Sequence, residues 1–237
     1  MRIVTYLNTT PEEVESKKFN IWIGCSLGNN YYTEPHLREY LLWALKHTRE
    51  DVLVVIPDRI YAVNLEALDN YKPERAKNVA IRKGDEKIAI IKRIVSSLPK
   101  EKQALVKVAR LSEVEQSKYH NYRLEILFEE FRKKGPFYEY ILNIVKENQK
   151  IQTAKPTLEM LEKLAEYILY EIPIFLNGCK YGGKPEDGGK TYSLIIYPGL
   201  NLFDYLCVEL ENGDLFPELS KRLKITDRIA IVEAYVE

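Results

Sequence analysis

Short runs of β-branched and apolar residues alternate along this chain with longer segments of helical period, the sequence signature of a parallel sheet covered by helices. Five runs predict core strands: Asn20–Cys25 (NIWIGC), Val52–Pro57 (VLVVIP), Ala104–Ala109 (ALVKVA), Thr191–Tyr197 (TYSLIIY) and Ile229–Val236. Each is brief and flanked by polar or turn residues, as buried strands of such sheets are. Ile3–Leu7 suits an edge strand. Between the strands, Thr33 caps a helix carrying Leu37, Leu41, Ala44 and Leu45, and Pro73 opens another that runs toward Ser97. Ser112-Glu-Val-Glu115 reads as a capping box that starts a long helix through Phe131. Gly135-Pro136 breaks the chain, a helix covers Phe137 to Lys146, and a last long one spans Thr157 to Phe175, with Gly178 as its stop. Neither a repeat nor a linker rich in Ser, Gly or Pro divides the sequence, so residues 1–237 are expected to form one α/β domain.

Composition narrows the function classes. Lys+Arg and Asp+Glu each number 35 and 46% of residues are apolar, which excludes a uniformly basic nucleic-acid binder and an acidic disordered chain. The three cysteines, at 25, 179 and 207, form no CxxC pair; neither a disulfide framework nor a zinc site is written, and a reducing, cytoplasmic setting fits. No clustered His, Cys or acid set suggests a metal, and no cofactor is expected. The start, MRIVTYLNTTPEE, turns acidic before a signal-peptide core develops, and no apolar run nears the ~20 residues of a membrane helix. A soluble, unprocessed chain is expected.

Open sheets of this kind bind ligands at the carboxyl ends of their strands, near the point where strand order reverses. There the first core strand runs into Gly24-Cys25-Ser26-Leu27-Gly28-Asn29-Asn30-Tyr31-Tyr32 and then a capped helix. Gly24-x-Ser26-x-Gly28 is a nucleophile-elbow pattern, in which small residues permit a sharp turn that presents a serine hydroxyl. The following N–H and the positive end of the helix can stabilise an oxyanion. Cys25 points the other way and reads as packing. An esterase triad would place its histidine late in the chain, yet His36 and His47 follow the serine closely and His120 is the last one. A serine enzyme working without histidine is therefore the sharper expectation, with a serine hydrolase or a non-catalytic binding module as alternatives. On the last long helix Tyr167 and Glu171 share one face, four residues apart. A carboxylate near a helix C-terminus opposes the dipole, a cost that a plain surface position has no reason to bear. Gly182 to Thr191 only glances at a phosphate loop, because Lys184 stands where glycine is needed and a strand follows; it reads as a loop beside the site.

Gly24-x-Ser26-x-Gly28-Asn29-x-Tyr31-Tyr32, the following helix with Trp43, Tyr167-x-x-x-Glu171-x-Pro173-x-Phe175, and Tyr197 closing a strand together resemble the tRNA-dependent cyclodipeptide synthases. The resemblance implies a Rossmann-like, mostly parallel five-stranded sheet with helices on both faces, similar to the catalytic domain of tyrosyl- and tryptophanyl-tRNA synthetases. It implies a monomer that joins the residues of two aminoacyl-tRNAs into a diketopiperazine through aminoacyl-Ser26 and dipeptidyl-enzyme intermediates. Neither a His-x-Gly-His nor a Lys-Met-Ser-Lys-Ser signature for ATP-driven activation is present. On the same ground, Tyr167 and Glu171 would bind the ammonium group, Glu171 would take a proton as the amine attacks, and Tyr197 would relay protons in ring closure. Asn29 and Tyr119 would line or support the site. Pro198 after Tyr197 resembles the subgroup whose motif ends Tyr-Pro, while Asn29 is shared with the other subgroup. The first-residue pocket would map onto Trp22, Gly24, Leu53, Leu111, Ile174 and Ile195, with Trp22 favouring a small or modest side chain.

Charge neutrality conceals one basic segment. Lys72, Arg75, Lys77, Arg82, Lys83, Lys87, Lys92 and Arg93 face only Glu74, Asp85 and Glu86 between positions 72 and 93, eight minus three or +5. Such clustering suits sequence-independent phosphate contacts, and the resemblance makes this helix a tRNA platform, with Arg132, Lys133 and Lys134 as a possible extension.

Overall fold

The computed structural model describes residues 1–114, 118–147, 156–176, 178–183, 189–225 and 228–237. The strands are β1 (Arg2–Leu7), β2 (Ile21–Gly24), β3 (Val52–Ile56), β4 (Val106–Arg110), β5 (Cys179–Tyr181), β6 (Lys190–Tyr192), β7 (Leu194–Tyr197) and β8 (Ala230–Tyr235). Helices α1 (Pro11–Glu15), α2 (Glu34–His47), α3 (Asp58–Asp69), α4 (Pro73–Ser96), α5 (Lys100–Gln103), α6 (Leu111–Val114), α7 (Lys118–Arg132) and α8 (Pro136–Glu147) come first. They are followed by α9 (Leu158–Phe175), α10 (Leu202–Asn212) and α11 (Pro217–Leu223).

The main sheet has six strands, not five, in the order β1-β8-β7-β2-β3-β4. The sixth is β1, the anticipated edge strand, antiparallel to β8; the other pairings are parallel. Strand order reverses between β2 and β7, so the ends of these two strands open side by side. A second correction concerns Thr191–Tyr197, which is not one strand. Lys190–Tyr192 pairs with β5 in a separate two-stranded sheet, and only Leu194–Tyr197 joins the main one. Ser193 marks the break: its N–H donates to the Asn20 carbonyl at 3.1 Å and its carbonyl accepts from Ala230 N–H at 2.8 Å.

Alternation along the strands sorts side chains to two cores. Ile21, Ile23, Cys25, Val52, Val54, Ile56, Leu194 and Ile196 pack with Leu37, Tyr40, Leu41 and Ala44 of α2 and Ile91 and Ile94 of α4. Trp22, Leu53, Val55, Ile195 and Ile231 pack on the opposite face with α7, α8, α9 and α10. Covering both faces explains why β3 reads as an unbroken apolar run, every residue of which is buried.

Caps were legible where they are local. Thr33 accepts the expected N–H bond, from His36 at 3.4 Å, and Thr157, read as the first residue of the last long helix, caps it instead by accepting from Met160 at 3.2 Å. The predicted box at Ser112 differs: Ser112 lies inside α6, Arg110 N–H donates to Glu113 Oε2 at 2.6 Å, and Glu115 lies outside the described residues. Gly178 is likewise not the stop of α9, which runs through Pro173 to an extended cap at Leu176. Its φ is +72°, and a Cβ there would lie 2.7 Å from the Tyr192 carbonyl oxygen, so glycine serves the close passage beneath β6. Of the Gly182–Thr191 loop, residues 184–188 lie outside the described residues, and Lys190 pairs with Glu50 and Asp51.

Candidate active site

The turn after β2 is fixed from three sides. Cys25 N–H donates to the Val55 carbonyl at 3.2 Å, extending the β2–β3 register by one residue. Its thiol is fully buried and pushed up to about 12 by that burial, so it packs rather than reacts. Ser26 comes next and is half-buried. Gly28 cannot carry a side chain without movement, because a Cβ would sit 2.9 Å from Cε2 of Tyr61 on α3. Asn29 is exposed and turned onto the loop itself: its Oδ1 accepts from Tyr31 N–H at 2.9 Å. The Tyr32 carbonyl accepts from Lys87 Nζ of α4 at 2.7 Å.

The carboxyl-terminal half of α9 lies over the same end of the sheet. Phe175 meets Trp22 edge-on at 5.2 Å and Phe203 of α10 at 4.7 Å between ring centroids. Tyr167 and Glu171, both with partial surface exposure, are hydrogen-bonded to each other. Burial pushes the Glu171 carboxyl up to about 8; the Tyr167 hydroxyl opposes that rise, and Asp204 adds to it. The Tyr167 phenol is pushed well up by burial and then by Glu171.

Asp204, which the sequence reading did not single out, is completely buried in the first turn of α10. Its Oδ2 accepts from Asn201 N–H at 2.8 Å, while Oδ1 has no hydrogen-bond partner among the described residues. Burial raises it to about 7 against backbone hydrogen bonds that lower it, with Glu233 adding to the rise. Asn201-x-x-Asp204 is a capping-box pattern that could have marked the helix start, but nothing local to it announces burial. Tyr32 is held far above the usual phenol range, chiefly by burial and further by Cys25, Tyr31, Glu171 and Asp204. Tyr197 closes β7, and its hydroxyl is buried without a hydrogen-bond partner among the described residues.

The structure also gathers the expected apolar set. Trp22, Leu53, Leu111, Ile174 and Ile195 are buried in one cluster, and Gly24 lies against it, with Ile195 Cδ1 and Trp22 Cζ3 at 3.5 and 3.6 Å from where its Cβ would be. Tyr119 stands apart from this core: it is exposed on α7, shares a small cleft with Pro173, Ile174 and Lys180, and carries the Lys180 ammonium 5.8 Å from its ring centroid. Pro198 follows β7, half-buried. The histidines are occupied elsewhere. His36 Nδ1 is 2.6 Å from the Tyr31 carbonyl, His47 bridges the Trp43 carbonyl and Glu15, and burial with Arg59 and Arg123 pushes His120 down to about 4.

Helix α4 carries the basic segment. A groove of about 560 Å³ is lined by Lys72, Glu74, Arg75, Asn78, Val79 and Arg82. Arg75 lies 4.4 Å over the Tyr71 ring, Arg82 pairs with Glu86 and Arg93 with Glu34, each pair at 2.6 Å. Gly84 brings the helix onto the sheet edge: a Cβ there would be 3.1 Å from Arg110 Nη1 and 3.3 Å from Asp58 Cβ and Ile56 Cγ2. Arg110 bridges buried Asp58 and Asp85 of α4 at that contact. The expected extension is less open, since Lys133 pairs with Glu130 at 2.7 Å and Lys134 with Glu162 at 3.2 Å. Among the described residues no group of three or more His, Cys, Asp or Glu could hold a metal, and no helix is long and apolar enough to cross a membrane.

A mostly parallel sheet that reverses order at β2 and β7, with helices on both faces, is the Rossmann-like class of the aminoacyl-tRNA synthetases. Tyrosyl-tRNA synthetase from Archaeoglobus fulgidus superimposes with a TM-score of 0.52 at 13% identity, over 91% of this chain and 54% of that one. Within that class the assignment is sharper: the profile of the cyclodipeptide synthases matches residues 5–186, and the chain belongs to this family of tRNA-dependent, peptide-bond-forming enzymes. The cyclodipeptide synthase from Bacillus thermoamylovorans superimposes with a TM-score of 0.72 at 17% identity, over 95% of this chain and 93% of that one. The synthase from Candidatus Glomeribacter gigasporarum, solved bound to Phe-tRNAPhe, gives 0.60 at 16% identity, over 92% and 88%. A search of curated proteins finds no match.

Proposed function

We propose that this chain makes a cyclic dipeptide from two aminoacyl-tRNAs with Ser26 as the covalent carrier. What supports the reading is the position of Ser26 just past the carboxyl end of β2, beside β7 where strand order reverses, in a chain of this family. Ser26 Oγ attacks the ester carbonyl of the first aminoacyl-tRNA; the bond to the terminal ribose breaks and the serine proton ends on that ribose oxygen. Glu171 and Tyr167 hold the ammonium of the bound residue. With its carboxyl raised to about 8, Glu171 is matched to taking the ammonium proton near neutral pH. The freed amine attacks the ester of the second aminoacyl-tRNA, leaving a dipeptidyl-Ser26 and an uncharged tRNA. Its new terminal amine then attacks the Ser26 ester, the ring closes, and Tyr197, whose buried hydroxyl has no hydrogen-bond partner among the described residues, returns a proton to Oγ.

Trp22 fills the apolar pocket and restricts the first residue to a small or modest side chain; Asn29, Tyr119 and Pro198 border the site. The exposed cations of α4 meet tRNA phosphates. On this reading the chain works as a monomeric α/β unit in the cytoplasm, where charged tRNA is found. Incubation with a panel of aminoacyl-tRNAs, read by mass spectrometry, tests it. Diketopiperazines from the wild type and none from Ser26→Ala are expected; full activity in Ser26→Ala overturns the covalent route, and bulky aromatic first residues overturn the role of Trp22.

A further inference from the structure

Helix α4 carries cations on two sides, and only one side faces solvent. Lys72, Arg75, Lys77 and Lys92 are exposed, whereas Lys83 and Lys87 are half-buried. Ala80, Gly84 and Ile91 are buried at helical spacing, and Lys87 falls in the same row. Its ammonium donates to the Tyr32 carbonyl at 2.7 Å. One turn earlier Lys83 donates to the Tyr61 hydroxyl at 3.3 Å and lies 5.3 Å from that ring's centroid. The Tyr61 ring closes in turn on Gly28. Two lysines of one helix therefore grip the Ser26 turn, one at Tyr32 directly and the other at Gly28 through Tyr61.

We propose that Lys87, assisted by Lys83, is a positioning residue for the nucleophile turn and not a phosphate contact. A charge-assisted hydrogen bond to a carbonyl is stronger than a neutral one, and Lys87 makes it to the residue that closes the turn before Thr33 caps α2. The turn is tied to β3 by the Cys25–Val55 bond and, at Tyr31, to α2 and the residue after β8 through His36, Tyr40 and Val236; Lys87 adds the tie to α4. A nucleophile displaced by ~1 Å loses on the order of 100-fold in rate. Helix α4 then has a division of labour: the outer row meets the polyanion, while the inner row aligns the serine that receives its cargo. This rests on the reading of Ser26 as nucleophile and of α4 as the phosphate face.

The test is single-turnover transfer of a labelled aminoacyl group from tRNA to Ser26, measured against tRNA and salt concentration. Lys87→Met is expected to slow transfer at saturating tRNA roughly 10- to 100-fold, with half-saturation and salt slope unchanged. Lys72→Met should do the reverse: an unchanged saturating rate, weaker half-saturation, and a salt slope smaller by about 1. Lys87→Arg, which can still donate, should recover part of the rate. Lys83→Met should show a smaller loss of the same kind and decides the matter if Lys87→Met does not fold. Lys87→Met or Lys83→Met behaving like Lys72→Met overturns the proposal alone. A wild-type chain that forms no acyl-enzyme overturns the covalent reading, and this inference with it.

Discussion

The carboxyl-terminal end of α9 and the outer row of α4, the two regions proposed to meet substrate, hold charge in opposite media. At α9 a carboxyl is enclosed, so burial raises Glu171 to about 8 and its neighbour Asp204 to about 7. On α4 the cations stand in water, where ionic attraction is long-ranged, additive and screened by salt. The difference teaches what each region is suited to. A desolvated acid near its transition between charge states can move a proton, whereas solvated cations can gather a polyanion without reading its sequence.

The sharpest way to break this contrast is to remove the chemistry and keep the capture. Ser26→Ala should abolish the acyl-enzyme detected by mass spectrometry while tRNA affinity, measured by filter binding, stays within about twofold. Next in size is Glu171→Gln, expected to lower turnover on the order of 10²- to 10⁴-fold. In the wild type, kcat/KM should rise as pH climbs toward about 8, because only the carboxylate accepts a proton; the variant should lack that limb, and a retained limb would assign the base elsewhere.

The same group sets the pH dependence of stability. Glu171 is raised from 4.5 to about 8, so the folded chain binds more protons than the unfolded one between those values. Its stabilising contribution is complete below 4.5 and is lost as pH rises through about 8; Asp204, raised from 3.8 to about 7, acts with the same sign. The wild-type Tm should therefore fall from pH 5 to pH 8, and Glu171→Gln should flatten the curve in calorimetry. On the other side of the contrast, replacing Lys72, Arg75 and Lys77 together by Met should raise KM for aminoacyl-tRNA and lower the salt slope by about 1 per cation, leaving kcat unchanged. The smallest effect belongs to Asn29→Ala, which removes one exposed turn bond worth about 0.5–1.5 kcal/mol and should change turnover only a few-fold.

How legible these regions were follows from the range of the forces involved. β3 declared itself because a strand covered on both faces is apolar throughout, α2 because its Thr33 cap is local, α4 because Pro73 marks its first turn, and α9 by its helical period. The Thr191–Tyr197 run misled, since an apolar run does not say that Ser193 will turn it from one sheet into another. The sequence expectations lack α1, α3, α5, α10 and α11; α10 carries the Asn201–Asp204 signal and a glycine stop at Gly213 with φ 77°, both readable. The burial of Asp204 was not readable, because it depends on α9 and α10 packing together on one face of the sheet. Counting charges on α4 found the basic segment but not its division: Lys87 belongs to the 80–84–87–91 row, which becomes visible only when helical spacing is laid over the charges.

Gly84 has a further consequence. Where it lies against Ile56, Asp58 and Arg110 an added methyl would crowd all three at 3.1–3.3 Å, so the close spacing between the helix proposed to meet a large nucleic acid and the strand ends proposed to receive its small cargo depends on the absence of a single methyl group. The chain keeps its longest lever, the 24 residues of α4, seated on a fulcrum about one atom thick.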